Sequence, residues 1–274
     1  MKIPFTKMHG LGNDYVYIDC FATPVETLPD LPTLASRLSL RRFSVGADGL
    51  VLILPSDKAT ARMRMFNADG SEGLMCGNAI RCVGKYLYER GLIPPDTREI
   101  TVETGSGIKT LSLSVKDGAV GAVVTAVTVD MGVSEVADEV VVRTEGKHYR
   151  LIPVSVGNPH WVCFVDDLAD VNVETEGEFL SSLVEGGVNV EFVERVDSTT
   201  LRMRVYERGS GVTLACGTGA CASVAVAVAK GYCPAATPVT VLLDGGALTL
   251  IHSPSGTTYM IGGAEFAFDG VVEG

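Results

Sequence analysis

Two cysteines carry the residue pattern with the clearest chemistry. Cys76 lies in Met75-Cys76-Gly77-Asn78-Ala79, and Cys216 lies in Ala215-Cys216-Gly217-Thr218-Gly219. Each follows a strand-like run (62–66 and 202–206) and a Gly-containing turn, and each opens a helix-like run that stops at Arg90-Gly91 or Lys230-Gly231. The two copies align without a gap at an offset of 140 (216 − 76 and 202 − 62). A thiol at a helix N-terminus feels the positive end of the macrodipole and nearby free N–H groups, so both cysteines are expected to have a pKa lowered from about 8.5 toward neutrality. The same N–H groups, with Gly allowing close approach, bind carboxylates. Each half therefore offers a cysteine base beside a carboxylate-binding helix end. One thiolate and one thiol acting on opposite faces of an α-carbon could invert it, their roles exchanging in the reverse direction. Charge developing on the bound carboxylate would be stabilised by the helix ends, so no pyridoxal phosphate is needed as an electron sink.

The elements that must position these thiols are duplicated as well. Asn13-Asp14-Tyr15-Val16 is echoed by Asn158-Pro159-His160-Trp161 (158 − 13 = 145), and Gly46-Ala47-Asp48-Gly49 by Gly187-Val188-Asn189-Val190 (187 − 46 = 141). A period this long means two related domains rather than a solenoid. Residues 3–20 read as strand, turn and strand, and 33–41 as a short helix capped by Thr33. Strands are expected at 50–54, 61–66, 100–103, 109–115, 120–130, 140–143, 149–156, 239–243, 247–252 and 258–261, with a helix at 174–182. Asp117-Gly118 is the expected turn and hinge between halves. The fold class is α+β: two pseudo-symmetric domains, 1–118 and 119–263, each a mixed sheet wrapped around a central helix.

Other readings of the same residues lead elsewhere. Free cysteines are usually small buried hydrophobes. That reading suits Cys20, Cys163 and Cys233, which lack a pattern, and Cys82 and Cys221, which turn off the helix face of Cys76 and Cys216. No C-x-x-C is present, which argues against a zinc site, and no metal is expected. Gly217-Thr218-Gly219-Ala220-Cys221-Ala222 fits a dinucleotide fingerprint, but no acidic residue follows at the required distance and the first copy breaks the pattern. A non-catalytic nucleotide-binding duplicate stays as an alternative on that motif.

Composition sets outer bounds. The chain has 274 residues, 46% apolar, enough for two cores. A formal net charge of −11 disfavours nucleic-acid and anionic-membrane partners and leaves a small-molecule substrate. Met1-Lys2-Ile3-Pro4 is not followed by the apolar run of a signal peptide, and the longest apolar run, 222–229, is too short to span a bilayer. Seven scattered cysteines suit a reduced compartment, so a cytoplasmic location is expected, or a plastid for a plant protein without its transit peptide.

The long motifs together resemble the diaminopimelate epimerase family. They are Lys7-Met8-His9-Gly10-Leu11-Gly12-Asn13-Asp14, Phe66-Asn67-Ala68-Asp69-Gly70-Ser71-Glu72 with Cys76-Gly77-Asn78, Gly157-Asn158-Pro159-His160, and Tyr206-Glu207-Arg208-Gly209 with Cys216-Gly217-Thr218-Gly219. The resemblance runs from the first strand to the last. It implies cofactor-independent interconversion of LL- and meso-diaminopimelate for lysine and cell-wall precursors, by a likeness to enzymes that use two cysteines. Carried over, Cys76 and Cys216 are the acid/base pair, with Cys216 as acceptor and Cys76 as donor in the LL-to-meso direction. Gly77, Asn78, Gly217 and Thr218 would hold the reacting carboxylate, and Asn13, Asn67, Asn158, Asn189, Glu207 and Arg208 the rest of the substrate. His160 and Glu207 would tune the two thiols. The residue types fit: asparagine both donates and accepts, and Arg208 could clamp a distal carboxylate in bidentate fashion. Against this, Asn in turns often satisfies its own backbone, and an exposed Glu-Arg pair is often only solvated surface. The resemblance further implies barrel-like sheets, a homodimer, and a last strand (264–274) returning to the first domain. A proline-racemase-type enzyme is the nearest alternative, which Arg208 and the asparagines argue against because proline has no distal charged end. Thr218 stands where the family often has Ser, and Gly49 where some members carry a substrate-reaching side chain.

Overall fold

A computed structural model describes residues 1–118, 121–144 and 146–274. The chain divides into two compact units, 1–129 with 262–274, and 130–261. In the first, β1 (Lys2–Gly10) and β2 (Asn13–Asp19) form a hairpin whose turn is made by Leu11 and Gly12, both at positive φ. Helix α1 (Leu31–Ser39) leads to β3 (Gly49–Leu54), which lies parallel to β2. Then come β4 (Ala61–Asn67), the two-residue β5 (Glu72–Gly73), α2 (Gly77–Glu89), β6 (Glu99–Thr104), β7 (Gly107–Gly118) and β8 (Gly121–Val133). Strand β4 is antiparallel to β3 and β5 and parallel to β6, and β6, β7 and β8 continue antiparallel. The last strand, Glu265–Glu273, pairs antiparallel with β1, so the chain's end does return to the first unit.

The division between units falls after Val129 rather than Gly118, because β8 pairs with β7 from Gly121 to Val129. Asp117 and Gly118 lie within β7, opposite Ala122 and Gly121, and the start of the expected strand at Val120 lies outside the described residues. The cap of α1 also differs from expectation. Asp30 is the N-cap: its Oδ2 accepts from the Thr33 N–H at 3.1 Å and from the Thr33 hydroxyl at 2.7 Å. A carboxylate one turn earlier leaves Thr33 inside the helix, and Pro32 fits its first turn because no N–H is needed there.

The second unit repeats this plan. It contains β9 (Glu135–Val136), β10 (Val140–Thr144), β11 (Lys147–Ser155), β12 (Pro159–Val165), α3 (Val173–Ser182), β13 (Asn189–Arg195), β14 (Thr200–Glu207), β15 (Gly211–Thr213), α4 (Gly217–Ala229), β16 (Val239–Leu243), β17 (Gly246–His252) and β18 (Thr257–Gly262). Strands β12 and β13 are parallel, β13, β14 and β15 antiparallel, β14 and β16 parallel, and β16 to β18 antiparallel. That is the β2-to-β8 order again. The ladders also refine the internal alignment. Leu50 faces Phe66 and Val190 faces Tyr206, so β3 matches β13 at 140 and Gly49 corresponds to Asn189, one position off the offset of 141 expected from the Gly46 and Gly187 motifs.

Each unit wraps its sheet around one helix. In α2 every residue from Gly77 to Tyr88 is buried, including Arg81 and Lys85. Lys85 is satisfied by Glu89 one turn on (2.9 Å) and by the Val124 carbonyl (2.9 Å). In α4 the side chains are mostly Ala and Val, all buried from Ser223 to Ala227. Small residues let surrounding strands approach on every side, which explains an all-round apolar helix at the centre of the unit. Both helices end on a residue at positive φ, Gly91 and Gly231, as their sequence signals require.

Candidate active site

In the first unit Cys76 is the N-cap of α2 and is partly exposed. Its thiol donates to Oδ1 of Asn13 at 3.4 Å, and Asn78 Nδ2 donates to the same oxygen at 3.3 Å. Asn13 is held in turn: its Nδ2 donates to Asp48 Oδ2 at 2.8 Å, while Arg41 bridges Asp48 (2.8 Å) and Asp14 (2.6 Å). Beneath the helix end, the buried Arg81 donates to Asn78 Oδ1 (3.0 Å) and to the carbonyls of Gly77 (3.2 Å) and Gly263 (3.1 Å). The hairpin, the β2–β3 connection and the start of α2 therefore bring Asn13, Cys76, Gly77 and Asn78 together. Asn67 is the last residue of β4, exposed, and its Nδ2 donates to Ser71 Oγ at 2.9 Å.

In the second unit Cys216 is the N-cap of α4, and its sulfur accepts from the Gly219 N–H at 3.4 Å. The Thr218 hydroxyl lies 3.5 Å from the same sulfur and accepts from Asn158 Nδ2 at 3.5 Å. The repeat thus extends to side-chain bonds: Asn13 meets Asn78 in one unit as Asn158 meets Thr218 in the other. Glu207, at the end of β14, accepts from the Thr213 hydroxyl, and its carboxylate and the Cys216 thiol shift each other's pKa. Asn189 Oδ1 accepts from the Arg208 N–H at 2.8 Å and so fixes the Glu207-Arg208 corner. Arg208 is exposed, and its guanidinium forms no ion pair among the described residues. His160 is buried, with Nδ1 2.7 Å from Glu191 Oε1 and Nε2 3.0 Å from Asn158 Oδ1.

The electrostatics of Cys216 overturn the expectation of a lowered thiol pKa. Burial pushes it well above its ordinary value, and the charges of Glu207 and Glu191 push it further, against the opposing Thr218 hydroxyl and Gly219 N–H. A helix end supplies about half a charge, whereas two carboxylates and the loss of water act together on a buried sulfur. Glu207 is itself raised, by burial first, with the Thr213 and Cys216 hydrogen bonds pulling the other way. The remaining cysteines behave as packing residues. Burial pushes Cys82 and Cys163 up to about 11 and Cys20 up to about 12.

Three contributors were not among the expected site residues. Glu191 could have been found as a lone charge within the buried run of β13, since such a charge needs a partner. Asp48 lies in the Gly46-to-Gly49 repeat motif, where the sequence assigns it no role of its own. Thr213 carries no sequence signal that sets it apart.

Solved structures at low identity share the fold. A hydroxyproline epimerase from Agrobacterium vitis superposes with a TM-score of 0.77 at 18% identity, over 99% of this chain and 91% of that one. A phenazine biosynthesis protein of the PhzF family from Bacillus anthracis gives 0.76 at 17%, over 100% and 99%. Fold and sequence together define a two-unit α+β class with a cysteine capping one helix in each unit. The model of the family described as diaminopimelate epimerase matches residues 5–136 and 152–267, and the chain belongs to that family. A diaminopimelate epimerase from Bacteroides thetaiotaomicron is 47% identical over 276 residues, covering 100% of this chain and 99% of the relative. One from Acetivibrio thermocellus is 45% identical over 285 residues, covering 98% of each. Among the described residues, no helix is long and apolar enough to cross a membrane.

Proposed function

We propose that the chain epimerises LL-diaminopimelate to meso-diaminopimelate by a two-base mechanism in which Cys76 and Cys216 act on opposite faces of one α-carbon without a cofactor. The observation that carries this reading is the repeated placement of a cysteine as N-cap of a buried helix, with a carboxylate, Glu207, acting electrostatically on one of the two thiols. Glu207 takes the Cys216 proton, the thiolate so formed takes the α-proton, and the Cys76 thiol returns a proton to the other face. Cys216 then holds a proton, Cys76 is left as the thiolate, and the reverse reaction exchanges their roles. A Cys216 held as a thiol until Glu207 accepts its proton supports Cys216 as the base in the LL-to-meso direction. The N–H groups of Gly77, Asn78, Gly217 and Thr218 stabilise charge developing on the reacting carboxylate.

Arg208 takes the distal carboxylate, and Asn13, Asn67, Asn158 and Asn189 supply the mixed donors and acceptors that an amino acid at both ends requires. The guanidinium of Arg208, without an ion pair among the described residues, supports a substrate with a distal anion over proline. Family membership further supports a role in lysine and cell-wall precursor synthesis, a cytoplasmic location and a homodimer. The test is Cys76→Ser and Cys216→Ser, each expected to lose nearly all turnover while circular dichroism stays unchanged. Full activity in the folded double variant would contradict the reading.

A further inference from the structure

Strand β13 carries Glu191 among Asn189, Val190, Phe192 and Val193, all of them buried. A carboxylate there has to be bonded. Its Oε1 meets His160 Nδ1 at 2.7 Å, and neither side chain is exposed at all. From His160 the contacts continue: Nε2 to Asn158 Oδ1 at 3.0 Å, Asn158 Nδ2 to Thr218 Oγ1 at 3.5 Å, and Thr218 Oγ1 to Cys216 Sγ at 3.5 Å. A chain of hydrogen bonds thus runs from Glu191 to the sulfur. The start of α4 also rests on this carboxylate, because a Cβ at Gly219 would lie 2.6 Å from Glu191 Oε1.

We propose that Glu191 is a positioning residue, which by anchoring Nδ1 of His160 fixes the orientation of the Asn158 amide and so the donor that Thr218 and Cys216 meet. The argument is a count of hydrogens. Both ring nitrogens face oxygens, and the amide oxygen of Asn158 has no hydrogen to give. Nε2 therefore carries one hydrogen, and a second is shared between Nδ1 and Glu191 Oε1; the couple is neutral overall whichever atom holds it. Without a partner at position 191 the ring is free to take the tautomer with Nε2 bare. The Asn158 amide would then turn its NH2 toward the ring and its oxygen toward Thr218, reversing the bond beside the thiol. Glu191 Oε2 is buried with no hydrogen-bond partner among the described residues, so the carboxylate's one side-chain hydrogen bond there is the one to His160.

The kinetic part of the test rests on the epimerase reading, whereas the spectroscopic part needs no substrate. In wild-type protein labelled with 15N-histidine, with His160→Gln used only to assign the signal, a slowly exchanging proton bridging Nδ1 is expected. A ring exchanging like free imidazole overturns the proposal whether or not the enzyme acts on diaminopimelate. Glu191→Leu, similar in size but unable to bond, is expected to lower kcat by about 10–100-fold, the usual effect of losing an outer-shell partner, with KM within about threefold. Glu191→Gln can still bond Nδ1, its amide NH2 donating to the bare nitrogen, and is expected to keep the hydrogen on Nε2 and stay within about tenfold of wild type. Wild-type kcat in folded Glu191→Leu overturns the proposal. So does a loss in folded Glu191→Gln equal to that in Glu191→Leu, because charge rather than orientation would then be the cause. If Glu191→Leu does not fold, the ring tautomer of Glu191→Gln decides alone, and an Nε2 without its hydrogen counts against the proposal.

Discussion

At the scale of single residues the two thiols are not equivalent. Cys76 is partly exposed and bonded to an amide, whereas Cys216 is buried between a helix end and two carboxylates. Glu207→Gln should therefore separate reactivity from catalysis. Removing that charge takes away one of the causes raising the Cys216 pKa, so alkylation of Cys216 by iodoacetamide should shift to lower pH. Epimerisation should nonetheless fall by about 100-fold or more, since a general base contributes about 10²–10⁴-fold. Alkylation at an unchanged or higher pH would show that Glu207 does not face the thiol as described. The pH profile follows with the same sign logic. Glu207 is active only when ionised, and burial raises its pKa, so the acid limb of kcat/KM should lie above the ordinary glutamate value of about 4.3. In the first unit, Asp48→Ala leaves the Asn13 amide without its acceptor. Turnover should drop about tenfold or more, again the usual size of an outer-shell effect, and Asp48→Asn should recover part of it. The two thiols were legible in the sequence because a repeat marks them. Glu191 was not, because its role depends on which strand runs beside β13.

At the scale of elements, the sequence announced α2 and α4 more reliably than α1. Gly91 and Gly231 closed α2 and α4 as expected. The start of α1 was misplaced because Asp30 and Thr33 are both good caps, and local preference alone does not rank them. Asp30→Ala should cost about 1 kcal/mol and Thr33→Ala less, as read from thermal melts of the purified protein. A second element-scale expectation runs against propensity. Gly177 lies in α3, where alanine would ordinarily gain up to about 1 kcal/mol. Here a Cβ would lie 2.3 Å from Tyr206 Cβ on β14. Gly177→Ala should therefore destabilise by about 1–3 kcal/mol through overpacking. A raised melting temperature would show that α3 can move off β14 at little cost.

At the scale of the whole molecule, the duplication explains why so much was readable. Two copies of one strand order, with β2–β3 and β12–β13 as the parallel pairs, leave the same marks twice. What the repeat left open was its register, because Gly46 and Gly187 invite an alignment at 141 that the backbone ladders set at 140. The boundary after Val129 was hidden for a similar reason: β8 carries no composition change where it passes from one unit to the next. The central claim, cofactor-free inversion at an α-carbon, is tested most directly by α-proton exchange in heavy water. Reduced protein is incubated with LL-diaminopimelate and no added cofactor, and the α-proton signal is followed by NMR alongside the meso isomer. We expect deuterium to enter the α-position as the meso isomer forms. Folded protein with free thiols that neither exchanges the α-proton nor forms the meso isomer would contradict the account.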